Sequence, residues 1–453
     1  MNEPDGHEPR LRLPHPLILM SGCVFIAAAA TWLLPAGLYD RVADAASGRD
    51  VVIAGSYHRT DGSPTTVLEA LTAIPRGIVG VADILAMIFL IGGALTVIDR
   101  TGALGRAVGA FVARAGARGG LLLPVIAVLF AAGGMLFNMA EECVALVPVL
   151  MLFTRRLGYT REVVVMISIG SAALGGAFSH MNPFQVIIAQ GVLELPSGSA
   201  AGFRLFFLAL AIIIWCVFVM RYANRHRVAI AAAEDHPEPL RSSDVVVLLL
   251  MLATFAYLGW GIQFEGWDFV EMGAPFFGLA IVAGFVGGLG PAATADAFVA
   301  GARDMTFAGV LIGMARAIVL VLQDAQVVDT IVYGLFLPLE HLPVVASAVG
   351  MVIAHAVLHV PVSSVSGQAV LTMPILGPLA DLLGMSRQVV VLTFQYGAGL
   401  IDMINPTNGA LMAVLTAAGV RFESWIAAAF RIWLLLLALG IAAVVLAVLT
   451  DLS

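Results

Sequence analysis

The sequence lacks lysine entirely, so all 23 of its positively charged residues are arginines. Charged residues make up only 12% of the 453 positions and apolar residues make up 60%. Soluble domains are about a quarter charged and just under half apolar. The mean hydropathy of +0.98 therefore excludes a soluble enzyme, a disordered chain and a nucleic-acid binder. The composition predicts an integral membrane protein that contacts the lipid bilayer.

Cysteine is also scarce, with three residues that all lie inside apolar runs: Cys23, Cys143 and Cys216. Their spacing fits neither a zinc site nor a disulfide framework, so we expect packing residues and predict no metal or cofactor. The first apolar run, Leu17–Leu38, is about long enough to span a bilayer and lacks a convincing cleavage site. It is therefore predicted to be an uncleaved membrane helix.

The two halves of the chain repeat each other. LGYTREVVV at 157–165 corresponds to LGMSRQVVV at 383–391, and Pro148 corresponds to Pro374. Further along, Asn182-Pro183 matches Asn405-Pro406, and FRLFFLAL at 203–210 matches FRIWLLLL at 430–437. Several ordered matches at half the chain length predict a duplicated fold.

Arginine positions predict the orientation, because cytoplasmic loops collect positive charge near helix ends. Arginines cluster after the apolar runs that end near residues 99, 154 and 222, whereas the acidic loop 265–271 has none. We therefore expect a multi-pass protein of the bacterial cytoplasmic (inner) membrane, with a cytoplasmic N-terminus and an exterior C-terminus. An extra helix between the halves gives the two repeats opposite orientations.

These features predict an all-α inverted-repeat transporter fold with about nine spanning helices and two opposed re-entrant hairpins. Its parts are a tail at 1–16, a first repeat at 17–222, a cytoplasmic linker at 223–243, and an extra helix plus second repeat at 244–453. Within the repeats we expect an exterior loop at 39–76, hairpins at 119–154 and 342–379, and broken helices at 163–193 and 388–416. Amphipathic stretches at 103–117 and 325–338 are expected at the membrane interface.

Polar residues interrupt the apolar runs at four places, a hairpin tip and an Asn-Pro break in each half. Irregular backbone at membrane depth is tolerated where it lines a site, and transporters aim half-helix N-termini at anionic groups there. The predicted substrate-binding residues are Asn138, Glu141, Glu142, Asn182, Arg316, Ser363, Ser364, Ser366, Gln368, Asn405, Thr407 and Asn408. The predicted ligands of a coupling Na⁺ or H⁺ are Glu142, Ser179, Asn182, Asp402 and Asn405.

The charged candidates keep alternative roles. One of Glu141 and Glu142 binds a cation, a proton or a substrate ammonium while the other pairs with an arginine, or both form ion pairs or cap a half-helix. Arg316 neutralises a substrate carboxylate, or it pairs with Asp324, Asp402 or a glutamate. Asp402 binds sodium or a proton, or it caps a helix.

Two hydrolase motifs are incomplete in this sequence. His355 and His359 have the spacing of metal ligands, but Ala356 stands where the HExxH motif needs glutamate. Ser366-Gly367 resembles the nucleophile of an intramembrane serine protease, yet no histidine has an evident partnering role. We therefore predict that the protein is not an enzyme.

Long motifs resemble the YfcC branch of the anaerobic C4-dicarboxylate carrier (DcuC-like) family. They include TWLLPAGLYDR (31–41), IGGALTVIDRTGAL (91–104), GGMLFNMAEE (133–142), GGAFSHMNPFQVIIAQ (175–190) and INPTNGALMAVL (404–415). The resemblance implies the ion transporter superfamily, in which homodimers move a transport domain as an elevator. It also implies that both hairpin tips and both Asn-Pro breaks line the substrate site.

The sequence therefore predicts an elevator-type secondary active transporter. Its expected substrate is a small carboxylate-bearing metabolite, either a C4-dicarboxylate or an amino acid, moved with Na⁺ or H⁺ or by exchange. The tips read Asn-Met-Ala-Glu-Glu and Ser-Ser-Val-Ser-Gly, whereas dicarboxylate members of the superfamily often have Ser-Asn-Thr, so both substrate classes stay open. An ion or solute channel and an intramembrane hydrolase are the alternatives.

Overall fold

The structure is a computed structural model that describes residues 15–44, 49–115, 120–228 and 239–452. It is predominantly helical, at 77%. The expectation of an all-α fold holds apart from two small two-stranded sheets in the segment that follows the first helix.

The first half begins with a short helix, four short strands and three further helices. These are α1 (Pro16–Ala30), β1 (Gly37–Leu38), β2 (Arg41–Asp44), β3 (Arg49–Val52), β4 (His58–Arg59), α2 (Val67–Val79), α3 (Ala82–Arg100) and α4 (Ala103–Ala115). The half continues with α5 (Leu122–Phe137), α6 (Glu141–Arg156), α7 (Arg161–Val165), α8 (Ser171–Ala177), α9 (Ile188–Val192) and α10 (Ala201–Arg225). π-Helical turns at Met166–Gly170 and Pro183–Ile187 precede α8 and α9.

The second half opens with the extra helix α11 (Ser242–Trp260), which a π-helical turn, Gly261–Glu265, extends. It continues with α12 (Phe269–Val286), α13 (Gly290–Asp304), α14 (Thr306–Asp324), α15 (Val328–Phe336) and a 3₁₀ turn, Leu337–His341. It ends with α16 (Val344–His359), α17 (Val365–Leu383), α18 (Arg387–Ile401), α19 (Gly409–Ala418) and α20 (Phe422–Leu449).

Six helical stretches of the described residues are long and apolar enough to cross a membrane. They are Ala82–Arg100, Ala201–Arg225, Ser242–Trp260, Phe269–Val286, Gly290–Asp324 and Phe422–Leu449. The first predicted span is shorter than expected, because α1 has 15 residues and ends at Ala30. Pro35, which has no backbone N–H, and the pairing of Gly37 with Arg59 turn the chain into a strand instead of a longer helix.

The segment that carries the strands is anchored to the start of α15. β1 pairs with β4, and β2 pairs with β3. The Gly37 N–H donates to the Gln326 carbonyl at 2.9 Å, and the Tyr39 N–H donates to Asp329 Oδ2 at 2.9 Å. Arg41 closes the attachment with a 2.8 Å ion pair to the buried Asp329 carboxylate.

Helices cross closely at glycines, and the crossings come in matching pairs. A Cβ added at Gly77 of α2 would lie 2.3 Å from the Gly313 carbonyl oxygen of α14. One added at Gly301 of α13 would lie 2.2 Å from the Gly92 carbonyl oxygen of α3. The α2–α14 and α3–α13 crossings therefore each bring a glycine against a glycine carbonyl.

The helix that precedes each predicted hairpin tip also crosses, at a glycine, the helix that precedes the Asn-Pro break of the same half. A Cβ at Gly175 of α8 would lie 1.9 Å from the Ala131 carbonyl oxygen of α5. A Cβ at Gly397 of α18 would lie 2.5 Å from the Val352 carbonyl oxygen of α16. These contacts bring the end of α5 to the Asn182-Pro183 break and the end of α16 to the Asn405-Pro406 break.

Candidate functional site

The predicted tip of the first hairpin is a three-residue break between α5 and α6. Asn138 follows α5 with φ of 58°, in the left-handed region that asparagine tolerates better than most residues. Its side-chain oxygen accepts hydrogen bonds from Asn182 Nδ2 at 3.2 Å and from Gln185 Nε2 at 3.1 Å. The tip of the first hairpin is therefore tied to the first Asn-Pro break.

The first Asn-Pro break is held by two short side chains. Asn182 Oδ1 accepts from the N–H groups of Phe184 and Gln185, and its Nδ2 donates to the Gly134 carbonyl at 2.7 Å. The Ser179 hydroxyl donates to the Met135 carbonyl at 2.9 Å and accepts from the Asn182 N–H at 2.8 Å. The side-chain polar atoms of these two predicted ligands, Ser179 and Asn182, therefore form hydrogen bonds with backbone groups around the break.

A buried arginine that the sequence analysis did not single out lies behind this break. Arg204 is 0% exposed. It donates to Ser199 O at 2.7 Å, Gln388 Oε1 at 3.0 Å and Gln395 Oε1 at 3.2 Å, and Gln395 in turn donates to the Ser179 carbonyl. The match of FRLFFLAL with FRIWLLLL places Arg204 opposite Arg431 and is the only signal that the sequence offers for it. The glutamine partners of Arg204 lie 184 and 191 residues later in the chain, on α18.

The two adjacent glutamates at the start of α6 occupy different environments. Glu142 is 7% exposed, and its Oε2 accepts the Ala140 N–H at 3.1 Å, as a capping acid does. Glu141 is more exposed, and its carboxyl group lies near that of Asp402. Within the described residues neither glutamate pairs with an arginine.

The serine residues of the second hairpin tip have different surroundings. Ser364 caps α17 by accepting the Gly367 N–H at 3.3 Å, and Ser363 donates to the Thr407 carbonyl at 3.3 Å. Ser366 is the second residue of α17 and is partly exposed, whereas Gln368 is fully buried. The tip is therefore joined to the second Asn-Pro break, as the first tip is to the first.

The second Asn-Pro break gathers the remaining predicted residues. Asn405 Nδ2 donates to the His359 carbonyl at 3.2 Å, and Thr407 donates to Asn405 Oδ1 at 2.8 Å. Asn408 caps α19 and donates to Asp402 Oδ1 at 2.7 Å. The same Asp402 oxygen lies 3.0 Å from His359 Nε2, so the Asp402 side chain contacts His359 and Asn408 while its backbone follows the end of α18.

Arg316 lines a cavity of about 400 Å³ together with Ser364 and Gly367 at the start of α17. Arg41 and Asp329 lie on its wall next to the strand segment. Among the described residues, Asp324 pairs with Arg76 and Asp402 pairs with His359, so the expected carboxylate partners of Arg316 are taken. Of the predicted substrate-binding residues, Arg316 and Ser364 line this cavity.

The described residues contain no group of three or more His, Cys, Asp or Glu side chains that could hold a metal ion. The geometry offers an arginine beside a helix N-terminus, two carboxylates at the start of α6, and a His–Asp contact at the second break. Such groups bind carboxylates, ammonium groups and protons.

Comparison with known proteins gives the family. The family model described as C4-dicarboxylate anaerobic carrier matches residues 13–449. The "Putative basic amino acid antiporter YfcC" of Escherichia coli (strain K12) is 31% identical over 469 aligned positions, which cover 92% of each protein. An "Uncharacterized protein" of Haemophilus influenzae is 28% identical over 400 positions, covering 83% of this chain and 78% of that one.

Two solved structures are also similar. MtrF of Neisseria gonorrhoeae, from a study of antimetabolite efflux pumps, has a TM-score of 0.45 and 15% identity, with 96% of each chain covered. The YdaH transporter of Alcanivorax borkumensis has a TM-score of 0.42 and 16% identity, covering 96% of this chain and 98% of that one. The family model and the relative in E. coli confirm the resemblance found in the sequence motifs. The chain is a membrane transporter and belongs to the C4-dicarboxylate anaerobic carrier family.

Proposed function

We propose that the protein is an elevator-type secondary active transporter for a small carboxylate-bearing metabolite, driven by Na⁺ or H⁺ or acting as an exchanger. The observation that carries the substrate class is the cavity shared by Arg316, Ser364 and Gly367. A guanidinium and the positive end of a helix dipole on one wall favour a bound carboxylate. Within the described residues no hydrogen bond or ion pair occupies the Arg316 guanidinium.

Glu141 supports an amino acid as one form of that substrate. It is partly exposed at the start of α6, and no described cation lies within ion-pairing distance of it. The ammonium group of a substrate would neutralise this glutamate. The name of the relative in E. coli, a putative basic amino acid antiporter, fits exchange of such substrates.

The duplicated glycine crossings support an inverted repeat with nine spans and two opposed hairpins as the form of this transporter. The packing within the two halves is not symmetric, because α14 packs on α19 in the second half whereas α3 packs on α6 in the first. Alternative packings of one set of helices against another are what a sliding transport domain requires. The proposed moving unit is α5–α10 with α16–α20, and the proposed homodimer forms through the other helices.

Uptake by proteoliposomes tests the function. We expect purified protein to accumulate succinate or L-arginine under a Na⁺ gradient, a pH gradient or counter-substrate loading. Replacing Arg316 with glutamine should reduce uptake at least about tenfold, because one lost charge-assisted contact is worth about 1.5–3 kcal/mol. The matched control is R303Q on the exposed face of α13, which should transport as the wild type does.

Three outcomes would contradict parts of the proposal. Absence of uptake of every carboxylate and amino acid under all gradients would reject the transporter for this substrate class. Unitary electrical currents far above the turnover of a carrier would indicate a channel. Normal uptake by R316Q would remove Arg316 from the substrate site.

A further inference from the structure

A chain of four buried or half-buried side chains runs behind the second hairpin tip. Asp402 Oδ1 lies 3.0 Å from His359 Nε2, and His359 Nδ1 lies 2.8 Å from Gln368 Oε1. Gln368 Nε2 lies 3.0 Å from His355 Nδ1 and 3.1 Å from the His355 carbonyl oxygen. Both histidines are 0% exposed, whereas the Asp402 side chain is 17% exposed.

The hydrogen-bond partners fix where the protons are. A backbone carbonyl only accepts, so the Gln368 amide nitrogen must face His355, and the Gln368 oxygen must face His359. His359 Nδ1 therefore donates and carries a proton. His355 Nδ1 accepts from Gln368, which makes His355 a neutral imidazole whose buried Nε2 has no hydrogen-bond partner.

The contact between His359 and Asp402 then needs one more proton. The Asn408 amide oxygen accepts the Leu411 N–H, so its nitrogen donates to Asp402 Oδ1 and leaves this oxygen an acceptor. Without a proton between them, His359 Nε2 and Asp402 Oδ1 would be two acceptors 3.0 Å apart. The observed geometry holds together only while the pair carries that proton.

Other charged groups near the pair are few. Glu141 at the start of α6 interacts with Asp402, and His355 faces His359 from the same helix. α17 and α19 contribute the neutral Gln368 and Asn408. On α15, Asp329 binds Arg41. The ion pair of His359 with Asp402 is the only one that the described residues form with either member.

The first half has no such pair at the matching places. Asp402 stands three residues before Asn405, and the residue three before Asn182 is Ser179. His359 is the last residue of α16, and the last residue of α5 is Phe137. Of the two sets of positions, only the one in the second half carries a titratable pair.

We propose that His359 and Asp402 form the proton-binding site through which transport is coupled to H⁺, an inference that rests on the proposed function of a coupled transporter. The pair joins the end of α16 to the end of α18, next to the Asn405-Pro406 break. Losing the proton forces the two acceptors apart and alters the wall of the substrate site. Asp402, the exposed member, exchanges the proton with water.

The first test compares transport by wild type, H359Q and D402N in proteoliposomes with succinate and L-arginine as probes. We expect a pH gradient to stimulate wild-type uptake and a Na⁺ gradient of equal size to have no effect. Both variants should lose the stimulation by the pH gradient. Stimulation at the wild-type level in both variants, or by Na⁺ alone in the wild type, would overturn the proposal.

The second test needs no substrate. Thermal unfolding of purified protein in detergent is measured from pH 5 to pH 9. Deprotonation removes the His359–Asp402 contact, so wild-type stability should fall as the pH rises. D402N replaces the carboxylate with an amide that does not titrate, so part of this pH dependence should be lost. The matched control D381N, whose partner Arg387 is outside the site, should keep the wild-type slope.

The two tests separate the inference from the proposed function. If wild type transports no probe while D402N flattens the pH dependence of unfolding, the substrate assignment fails and the proton site stands. If D402N keeps the wild-type pH dependence, the proton site is rejected whatever the substrate is.

Discussion

Amide side chains determine how the two Asn-Pro breaks are built. Asn182, Gln368 and Asn408 each face a backbone carbonyl or N–H group on one side, which orients the amide and leaves the other end to bind a side chain. A polar group without a partner in an apolar interior costs about 1–3 kcal/mol. These hydrogen bonds fix the backbone at both breaks. The two halves then differ in which side chain each oriented amide group contacts.

The contribution of Asn182 to the stability of the first Asn-Pro break can be measured by substitution. Replacing it with alanine removes the acceptor of the Phe184 and Gln185 N–H groups and the donor to the Gly134 carbonyl. We expect N182A to lower the free energy of unfolding by about 1–3 kcal/mol, measured by equilibrium unfolding in mixed micelles. The exposed Asn224 on α10 supplies the control N224A, which should have almost no effect. Equal stability of N182A and wild type would show that the break is not held by this side chain.

Helices in this protein approach each other through glycine. The α5–α8 and α16–α18 contacts leave no room for a Cβ at Gly175 or Gly397, because the neighbouring atom is a backbone oxygen that has no rotamer to change. Small residues drive helix association in membranes, where the hydrophobic effect between helices is absent. The position of each hairpin tip relative to its Asn-Pro break is thus set at the crossing of two helices.

Substituting one such glycine tests the element-level argument. A methyl group at Gly175 would lie 1.9 Å from the Ala131 carbonyl oxygen, so G175A should separate α5 from α8. We expect a loss of about 1–3 kcal/mol in the free energy of unfolding, the range for overpacked cores, and a fall in uptake. Gly202 on α10 has no atom within 4 Å of an added Cβ, so G202A should be neutral or slightly stabilising. A neutral G175A would refute the close crossing.

Much of this element-level organisation could be predicted from the sequence. The interruptions at 138–140 and around both Asn-Pro dipeptides coincide with polar residues inside apolar runs, since such residues seldom occur there without a break. The strands at 37–59 had no clear periodicity. The His359–Gln368–Asp402 chain could not be predicted, because its members are far apart in sequence. The spacing of His355 and His359 by itself indicates metal ligands. The signal in the sequence is His359, an ionisable residue shortly before the second tip.

At the scale of the whole molecule, basic and acidic residues collect at different helix ends. Arg155 and Arg156 end α6, and Arg221, Arg225 and Arg227 end or follow α10. The loop between α11 and α12 carries Glu265, Asp268 and Glu271 with no arginine. Because basic ends stay in the cytoplasm, this distribution predicts that the two hairpins enter from opposite sides. That arrangement would make the second repeat an inverted copy of the first.

Cysteine labelling tests the inversion directly. In a background without Cys23, Cys143 and Cys216, single cysteines replace the exposed residues at the ends of each hairpin: Leu121, Arg156, Leu342 and Leu382. We expect a membrane-impermeant maleimide to label L342C and L382C in intact cells, and L121C and R156C only after permeabilisation. Labelling of all four from one side would show a parallel repeat, and labelling of L121C and R156C from opposite sides would make the first hairpin a single crossing. Only the expected result places the Glu141–Glu142 tip and the Ser363–Ser364 tip at one site from opposite faces of the membrane, as a carrier with alternating access requires.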